Sequence, residues 1–519
     1  MTGPVAARFV TFWYEIMRAW SLDFRDAAVA GKNPPHEATA AQPEDGDPWR
    51  SLPLCVDLDG TLVRTDVLHE HLLFAAAHWR LLRRLPGWKR QGIARLKQEL
   101  AAAVQLDVAT LPYDPAVVDY LRQQRAQGRR LVLATAADRR VAEAISQHLG
   151  LFDEVVASDG RENLRGHTKA ARLCALFGER RFCYVGSDDS DLAVWHKAGG
   201  AVFANARHAI VHAVRGRTTV EARIGTVRSR IASFIRALRP HQWSKSLLVF
   251  VPLLAAGALT DGRGWLAALY MFAAFCCAAS GIYLVNDLTD LAADRRHPRK
   301  RNRPFASGDL PVIYGVIAAP LLVAAGGLLA LRCGGAATLT VGTYALLALL
   351  YSLKLKEKPL VDIFGLAALY SIRLFGGGIA SDHPVSLWLM MFSSFLFLSL
   401  ACIKRDAEMI AMPKGRLRRR GYQTGDRRML EMMGIGASFV SSMVLGLYIQ
   451  SDGNPGQWNH PQWLWAMIPL LLFWLCRLWL ATSRGYMLDD PIVYASRDWV
   501  SQAVVILIAV VYGLALAPF

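Results

Sequence analysis

An apolar run that ends in acidic residues, AAFCCAASGIYLVNDLTDLAAD at residues 273–294, is the most informative segment of the chain. Its first part has the composition of a helix in lipid, and its end carries Asp287, Asp290 and Asp294. An α-helix brings positions i, i+3 and i+7 to one face, so the spacing predicts three carboxylates along one side of a helix. Such carboxylates repel one another beside lipid unless a cation holds them, and oxygen ligands favour Mg²⁺ bound together with phosphates.

Basic residues follow the acidic run directly, in the segment RRHPRKRNRP at residues 295–304. Arginines bind phosphate oxygens with two parallel hydrogen bonds, so this segment supplies the cations that a diphosphate needs. A solvated helix end is the alternative interpretation, and the adjoining arginines argue against it. We therefore predict a Mg²⁺ and diphosphate site in which Asn286, Arg301 and Arg303 bind substrate.

Apolar stretches dominate the chain beyond residue 235. Most reach the roughly 20 residues that a helix needs to cross the hydrocarbon core. The loops after the second, fourth, sixth and eighth stretch are rich in Lys and Arg, and the positive-inside bias places them and the soluble half in the cytoplasm, with the C-terminus on the far side. The nine stretches lie near 246–260, 264–285, 310–331, 335–353, 359–380, 385–403, 431–450, 462–481 and 497–517.

Composition excludes several classes of protein. The 519 residues are 53% hydrophobic and only 19% charged, so much of the chain is expected in lipid, and a bacterial inner membrane is the simplest location. The net charge is +17, and the basic residues cluster between apolar runs, as they do in the cytoplasmic loops of membrane proteins. Nucleic acid is therefore not expected as a partner. The eight cysteines show no CxxC pair or zinc spacing, and they imply neither a disulfide framework nor a zinc site.

The chain before the apolar stretches divides into an N-terminal segment and a soluble domain. Residues 1–50 read as an amphipathic helix at 5–24 and a linker, without a signal peptide. From 51 to about 205, short apolar runs alternate with helical stretches, which predicts an α/β domain with a parallel sheet. We place this domain at 51–222, a linker helix at 223–238 and the membrane domain at 239–519. Residues 65–112 form a predicted helical cap that carries Arg80, Arg83, Arg84, Lys89 and Arg90.

The first strand of the soluble domain leads into DLDGTL at residues 57–62. Asp57 and Asp59 therefore leave the carboxyl end of a strand, where open α/β sheets bind ligands. One carboxylate can attack phosphorus and the other can protonate the leaving oxygen, while Mg²⁺ neutralises the charge between them. A turn with two solvated aspartates is the alternative.

Residues 51–205 resemble the haloacid-dehalogenase-like phosphatases, which have a Rossmann-like α/β domain. The resemblance implies that Thr135 binds the phosphoryl oxygens and that Lys169 neutralises the phosphoaspartate. The fourth motif, GSDDSD at residues 186–191, departs from the family, because Ser187 stands where a Mg²⁺-binding aspartate is usual. We predict that Asp188 and Asp191 bind this metal together with Asp57 and Asp59, and Asp189 stays open as an alternative.

Residues 236–519 resemble the UbiA-type prenyltransferase superfamily, through the NDxxDxxxD run and the Arg303-Pro304 and Gly308 that follow it. The resemblance implies an all-α bundle of about nine membrane helices with a pocket open to the cytoplasm. Arg239 to Lys245, the YSxxLK run at 351–356 and Arg373 look like the decaprenyl-phosphate phosphoribosyltransferase branch. This branch implies phosphoribosyl diphosphate as donor and a polyprenyl phosphate as acceptor. The further predicted substrate-binding residues are Lys245, Tyr351, Lys354, Lys356, Asp362 and Arg373.

Three interpretations of the whole chain follow. In the first, the membrane half makes a polyprenyl-phosphoryl-ribose phosphate, a precursor for cell-wall glycans, and the soluble half removes the 5-phosphate, with Mg²⁺ in both domains. In the second, the chain is an aromatic prenyltransferase of quinone-type synthesis. In the third, the soluble half is a degenerate module, which Ser187 permits. A homo-oligomer is compatible with each of them.

Overall fold

The structure is a computed structural model that describes residues 51–76, 78–227, 229–411, 421–450, 458–487 and 490–517. The chain divides into two compact units, with the division between residues 228 and 229. The amphipathic helix predicted at 5–24, the linker before residue 50 and the basic loop at 414–420 lie outside the described residues. Each unit is described by itself below.

Unit 1 is built on a six-stranded sheet in which every neighbouring pair of strands is parallel. The order β3-β2-β1-β4-β5-β6 puts β1 in the middle, so the residues that follow β1, β2 and β4 meet at one edge of the sheet. This arrangement confirms the predicted α/β fold. The strands are β1 (Leu54–Val56), β2 (Leu131–Asp138), β3 (Glu154–Ser158), β4 (Cys183–Gly186), β5 (Gly200–Ala204) and β6 (Thr219–Ile224).

Helices cover both faces of the sheet, and two separate apolar clusters fill the space beneath them. The first four helices form the predicted cap. Strand β6 runs two residues past the predicted boundary at 222, because its end pairs with β5. The helices are α1 (Val67–Ala76), α2 (Trp79–Leu82), α3 (Leu85–Arg90), α4 (Ile93–Ala103), α5 (Pro115–Ala126), α6 (Arg139–Leu149), α7 (His167–Phe177), α8 (Leu192–Trp195) and α9 (His208–Val214).

Unit 2 is an all-α bundle, and eight helices in its described part are long and apolar enough to cross a membrane. The helices of unit 2 are α10 (Arg230–Leu238), α11 (Val251–Ala255), α12 (Gly262–Thr289), α13 (Leu291–Arg296), α14 (Val312–Leu331), α15 (Gly335–Leu353), α16 (Val361–Ser381), α17 (Leu387–Ile410), α18 (Asp426–Gln450), α19 (Met467–Ser483), α20 (Pro491–Ala495) and α21 (Trp499–Leu516). The eight candidate spans are α12, α14 to α18, α21, and α19 together with the 3₁₀ helix Pro461–Ala466 before it.

The first of the nine predicted membrane stretches differs from expectation. It is a 3₁₀ helix at Pro240–Phe250 that continues into the short helix α11, rather than one α-helix. A 3₁₀ helix rises about 2.0 Å per residue and an α-helix about 1.5 Å, so the segment is roughly 30 Å long despite having few residues. It packs tightly on α16, where a Cβ added to Gly377 would collide with the Val249 carbonyl oxygen.

The acidic run does not lie on one uninterrupted helix, which corrects the predicted single face. Helix α12 ends at Thr289, and α13 begins at Leu291. Asp290 occupies the junction, with φ −93° and ψ 7°, and its carbonyl oxygen accepts hydrogen bonds from the Ala293 and Asp294 amides. Asp290 pairs with Lys356, whereas Asp287 and Asp294 share Arg303.

Candidate functional site

A cleft of about 560 Å³ lies between the helices of unit 2. Its wall combines apolar side chains with tyrosines and three cationic side chains, those of Lys245, Arg373 and Lys404. The sequence-predicted residues Asn286 and Tyr351 also line it. A mostly apolar cleft with a few convergent polar groups is typical of a ligand site.

Two of the three cations share one buried carboxylate. The Lys245 Nζ lies 2.6 Å and the Lys404 Nζ 3.1 Å from Asp490 Oδ2. Burial opposes ionisation of Asp490, yet the two ammonium groups hold the pKa of this carboxyl well below its usual range. The Tyr370 hydroxyl also donates to Asp490, at 3.3 Å. Two lysines and one aspartate leave the cluster with a net positive charge.

Helix α20 positions Asp490 through a local sequence signal. Asp490 is the N-cap residue, Pro491 occupies the first turn, and Asp490 Oδ1 accepts the Ile492 amide hydrogen at 3.2 Å. Aspartate before proline is a common helix start. The sequence analysis missed Lys404 and Asp490, although a charged pair at residues 404–405, at the end of an apolar stretch, is a signal for an intramembrane site.

Arg373 is the third cation, and it is 3% exposed in the middle of α16. Its Nη1 donates to the Leu369 carbonyl oxygen and its Nη2 to the Tyr344 hydroxyl, each at 2.6 Å. The Arg373 Nε and the Asn286 Oδ1 are buried, and neither has a hydrogen-bond partner among the described residues. Unpaired buried polar atoms are costly, so a bound ligand that satisfied them would be stabilised.

The carboxylates of the acidic run form ion pairs with basic side chains in this structure. Arg239 forms an ion pair with Asp287, and the Arg303 Nη1 lies 3.1 Å from Asp287 and 2.5 Å from Asp294. Asp290 pairs instead with Lys356, at 3.2 Å. Sequence-predicted Arg301 and Lys354 are exposed.

Asp362, which the sequence predicts to bind substrate, is not among the side chains that line the cleft. It is 0% exposed and pairs with Arg405, whose Nε lies 2.6 Å from Asp362 Oδ2. Asp362 Oδ1 accepts a hydrogen bond from the Tyr351 hydroxyl at 2.7 Å. Because Tyr351 lines the cleft, Asp362 acts on the site through that side chain.

The donor set of the acidic run fits Mg²⁺ that is shared with a substrate. Within the described ranges, no three His, Cys, Asp or Glu side chains converge to hold a metal ion. Mg²⁺ is usually bound by one or two carboxylates, substrate phosphates and water rather than by a protein cage. Asp287, Asp290 and Asp294 can supply such carboxylates once Arg239 and Arg303 turn to the phosphates.

In unit 1, the structure brings Asp57 together with Lys169 across the edge of the sheet. The Lys169 Nζ lies 2.5 Å from Asp57 Oδ1, 2.9 Å from the Tyr184 hydroxyl and 3.9 Å from Asp191 Oδ1. The Thr61 hydroxyl donates to Asp57 Oδ2 at 3.3 Å. Burial raises the pKa of Asp57 to about 6, and Lys169 opposes that rise.

The other predicted residues of unit 1 differ in their surroundings. Thr135 lies within β2 and is fully buried, and its hydroxyl accepts the Ala137 amide hydrogen at 2.9 Å. Asp59 Oδ1 accepts the Val67 amide hydrogen at 2.8 Å. Burial first and the neighbouring Asp66 second raise the pKa of Asp59 to about 7, which suits a general acid.

The fourth motif does not supply the predicted metal ligands. Asp191 Oδ1 accepts from the Tyr184 hydroxyl at 2.8 Å, and Oδ2 accepts the amide hydrogens of Ser187 and Asp188. Asp188 is exposed and caps the following turn. Ser187 occupies the place beside Asp57, with its hydroxyl 3.0 Å from that of Thr61. Among the described residues, the four predicted carboxylates do not converge into one set of metal ligands, because Asp188 is exposed and Asp191 is held by Tyr184 and two backbone amides.

The fold and the two sites define a membrane protein with a cleft lined by cationic side chains, joined to a hydrolase-like α/β unit. Comparison with known proteins identifies both parts. Residues 247–491 match the UbiA prenyltransferase family, and residues 54–192 match the haloacid dehalogenase-like hydrolases. The chain belongs to the UbiA prenyltransferase family and carries an N-terminal domain of the second family.

Three relatives illustrate the likeness. The uncharacterized protein y4nM of Sinorhizobium fredii is 35% identical over 474 residues, which cover 90% of this chain and 92% of that protein. The nodulation protein NoeC of Azorhizobium caulinodans is 36% identical over 51% of this chain and 87% of its own length. A decaprenyl-phosphate phosphoribosyltransferase of Mycobacterium tuberculosis is 31% identical over 55% of this chain and 95% of its own length.

Proposed function

We propose that unit 2 transfers 5-phosphoribose from phosphoribosyl diphosphate to a polyprenyl phosphate. The observation that carries this proposal is the set of three cations, Lys245, Arg373 and Lys404, in a cleft lined also by Asn286 at the start of the acidic run. The substrates of an aromatic prenyltransferase bring one diphosphate and one carboxylate. The donor and acceptor proposed here bring a diphosphate and two further phosphates, which matches a cleft with cations beyond the diphosphate site. The similarity to the phosphoribosyltransferases supports the same choice.

The transfer needs no general base on the protein. An oxygen of the lipid phosphate, already anionic, attacks the anomeric carbon of ribose, and the carbon–oxygen bond to the diphosphate breaks as pyrophosphate leaves. Lys245, Lys404 and Arg373 hold phosphates in the low-dielectric cleft, where fixed cations stabilise charge strongly. Mg²⁺ held by Asp287, Asp290 and Asp294 would neutralise the charge of the diphosphate.

Unit 1 would then remove the 5-phosphate from the lipid-linked product. Asp57 attacks phosphorus, Asp59 gives a proton to the departing 5-oxygen, and water then hydrolyses the phosphoaspartate. Lys169 balances the charge on Asp57, and Thr135 binds phosphoryl oxygens. Tethering raises the effective concentration of the product at this second site, and its hydrolysis draws the reversible transfer forward.

The same proposal includes the setting of the enzyme. We place it in a bacterial inner membrane with unit 1 in the cytoplasm, because the basic loops flank the acidic run. Its products would be pyrophosphate, phosphate and a polyprenyl-phosphoryl-ribose, a lipid pentose donor for glycan assembly.

The experiment that tests the proposal follows two labels. Purified protein in detergent receives Mg²⁺, polyprenyl phosphate and phosphoribosyl diphosphate labelled separately in the ribose and in the 5-phosphate. Ribose label in the lipid and 5-phosphate label in free phosphate are expected, and Asp57→Asn should abolish only the release. If neither label enters the lipid while a prenyl diphosphate alkylates an aromatic acid, the aromatic prenyltransferase is the correct function.

A pair of lysine variants tests the cleft itself. Lys404→Met removes a cation that the structure places in the cleft, whereas Lys354→Met removes an exposed one that the sequence also favoured. Transfer should fall by roughly two orders of magnitude in the first, the usual size for loss of a transition-state charge partner, and change little in the second. Equal losses would place the phosphates elsewhere.

A further inference from the structure

The cap of unit 1 carries a concentration of positive charge that the proposed chemistry does not use. Residues 71–98 contain no Asp or Glu. Arg95 and Lys97 make contacts within the unit, the first with Gln98 and Glu99 and the second with Ala136 and Asn163. The remaining Lys and Arg residues of this segment are exposed, and they are Arg80, Arg83, Arg84, Lys89 and Arg90.

Large apolar side chains are exposed among these cations. Trp79 is 59% exposed, and Phe74, Leu82 and Ile93 are 44–48% exposed. The Arg83 guanidinium lies 4.6 Å from the centre of the Trp79 ring, so the aromatic and basic groups form one surface. We call this surface the cap face.

The side chains of the cap face are distinct from those that form the interior of the cap. A separate apolar cluster of Ala75, Leu96 and Leu100 forms the interior of the cap, and Leu81, Leu85 and Trp88 pack against it. The exposed Trp79 and its neighbours are therefore additional to the side chains that hold the four helices together. Exposed apolar groups grouped in this way mark an interaction site.

We propose that the cap face docks on the anionic headgroup surface of a membrane. Aromatic rings prefer the boundary between headgroups and hydrocarbon, and each Lys or Arg near an anionic surface adds attraction of its own. The surface matches this chemistry in charge and in polarity. Unit 1 is also connected to the membrane spans by a short segment. Only residues 225–229 separate β6 from α10, and eight candidate membrane spans follow α10.

Docking would have a consequence for the hydrolase site. The cap helices α1 and α4 line a small cavity beside Asp59, through Val67, His71, Lys97 and Leu100. When the cap face rests on the headgroups, this cavity lies close to the headgroup layer, where the phosphate of a polyprenyl lipid is found. The inference itself rests only on the cap face and does not require the proposed transfer reaction.

Hydrogen exchange of the full-length protein in nanodiscs tests the proposal. One set of discs contains only phosphatidylcholine, and the other contains about one third phosphatidylglycerol. Amides in 78–93 should exchange about tenfold more slowly in the anionic discs, and 1 M NaCl should remove the difference, because salt screens surface charge. Amides of α6 should exchange equally in both sets of discs.

Charge variants complete the test. Arg80→Glu, Arg83→Glu and Arg84→Glu together should abolish the lipid-dependent protection, and the corresponding lysine variants should keep most of it. The matched control changes three exposed arginines elsewhere in unit 1, Arg122→Glu, Arg161→Glu and Arg172→Glu, and should behave as the parent. Equal protection in neutral discs would show that protein covers the cap face, and absence of protection in both discs would also overturn the proposal.

Discussion

Removal of the Lys169 charge should cost unit 1 much of its stability as well as its activity. Lys169 is 4% exposed and lies 2.5 Å from Asp57 and 3.9 Å from Asp191. At an effective dielectric constant of about 20, such pairs are worth roughly 4–7 kcal/mol each before desolvation is subtracted. Loss of one partner from a buried pair typically costs about 3–5 kcal/mol, because the other charge stays buried. We expect about 3 kcal/mol for Lys169→Met at pH 8 without metal.

The loss of stability expected for Lys169→Met should be larger at higher pH. Burial raises the pKa of Asp57 to about 6. A carboxyl whose pKa is raised on folding destabilises the folded state as pH rises through that pKa, since the unfolded chain ionises first. Lys169→Met should therefore cost more at pH 8 than at pH 5.5, where Asp57 takes up a proton.

Native-state hydrogen exchange of the β1 and β4 amides in the full-length protein measures this loss. A loss of 3 kcal/mol corresponds to roughly 150-fold faster exchange of the most protected amides. Asp57→Asn combined with Lys169→Met should recover at least half of the loss without restoring phosphate release. Lys197→Met is the matched control, because its 2.9 Å pair with Glu179 is exposed and should contribute little to stability. A Lys169→Met protein as stable as the control would refute the reasoning.

Three further changes test other parts of the two sites. Ser187→Asp adds a carboxylate beside Asp57, so the thermal midpoint of unit 1 in EDTA should fall. Mg²⁺ should then raise this midpoint by more than it does in the parent, as measured by calorimetry; an unchanged response to Mg²⁺ would contradict the placement of Ser187. Arg303→Gln removes the cation that Asp287 and Asp294 share, although Arg239 stays paired with Asp287. The change should tighten Mg²⁺ binding in titration calorimetry while transfer falls at least tenfold; weaker Mg²⁺ binding would oppose the competition seen in the structure. Arg405→Met removes the cation that balances the buried Asp362 carboxylate and should cost about 3–5 kcal/mol in denaturant unfolding, whereas exposed Arg484→Met should cost under 1 kcal/mol; equal losses would refute the role of the buried pair.

The sequence by itself determined the features that depend on neighbouring residues. Hydropathy over about 20 residues predicted nine membrane stretches, and eight of them are candidate spans in the described part of unit 2, because crossing lipid requires continuous apolar length. Alternating apolar runs predicted the parallel sheet, and the DLDGTL run predicted where Asp57 leaves β1. The same local logic was wrong at 240–255 and at Asp290, where packing and a helix junction replaced regular α-helix.

Only the tertiary structure decided which charges meet. Lys245 and Asp490 are separated by 245 residues, and Lys404 joins them from a third helix. Asp362 looked like a substrate ligand until Arg405 was found against it, and Asp191 looked like a metal ligand until Tyr184 and two backbone amides took both of its oxygens. No local period encodes such partners, because the choice depends on which helices and strands pack together and on the cost of burying a charge alone.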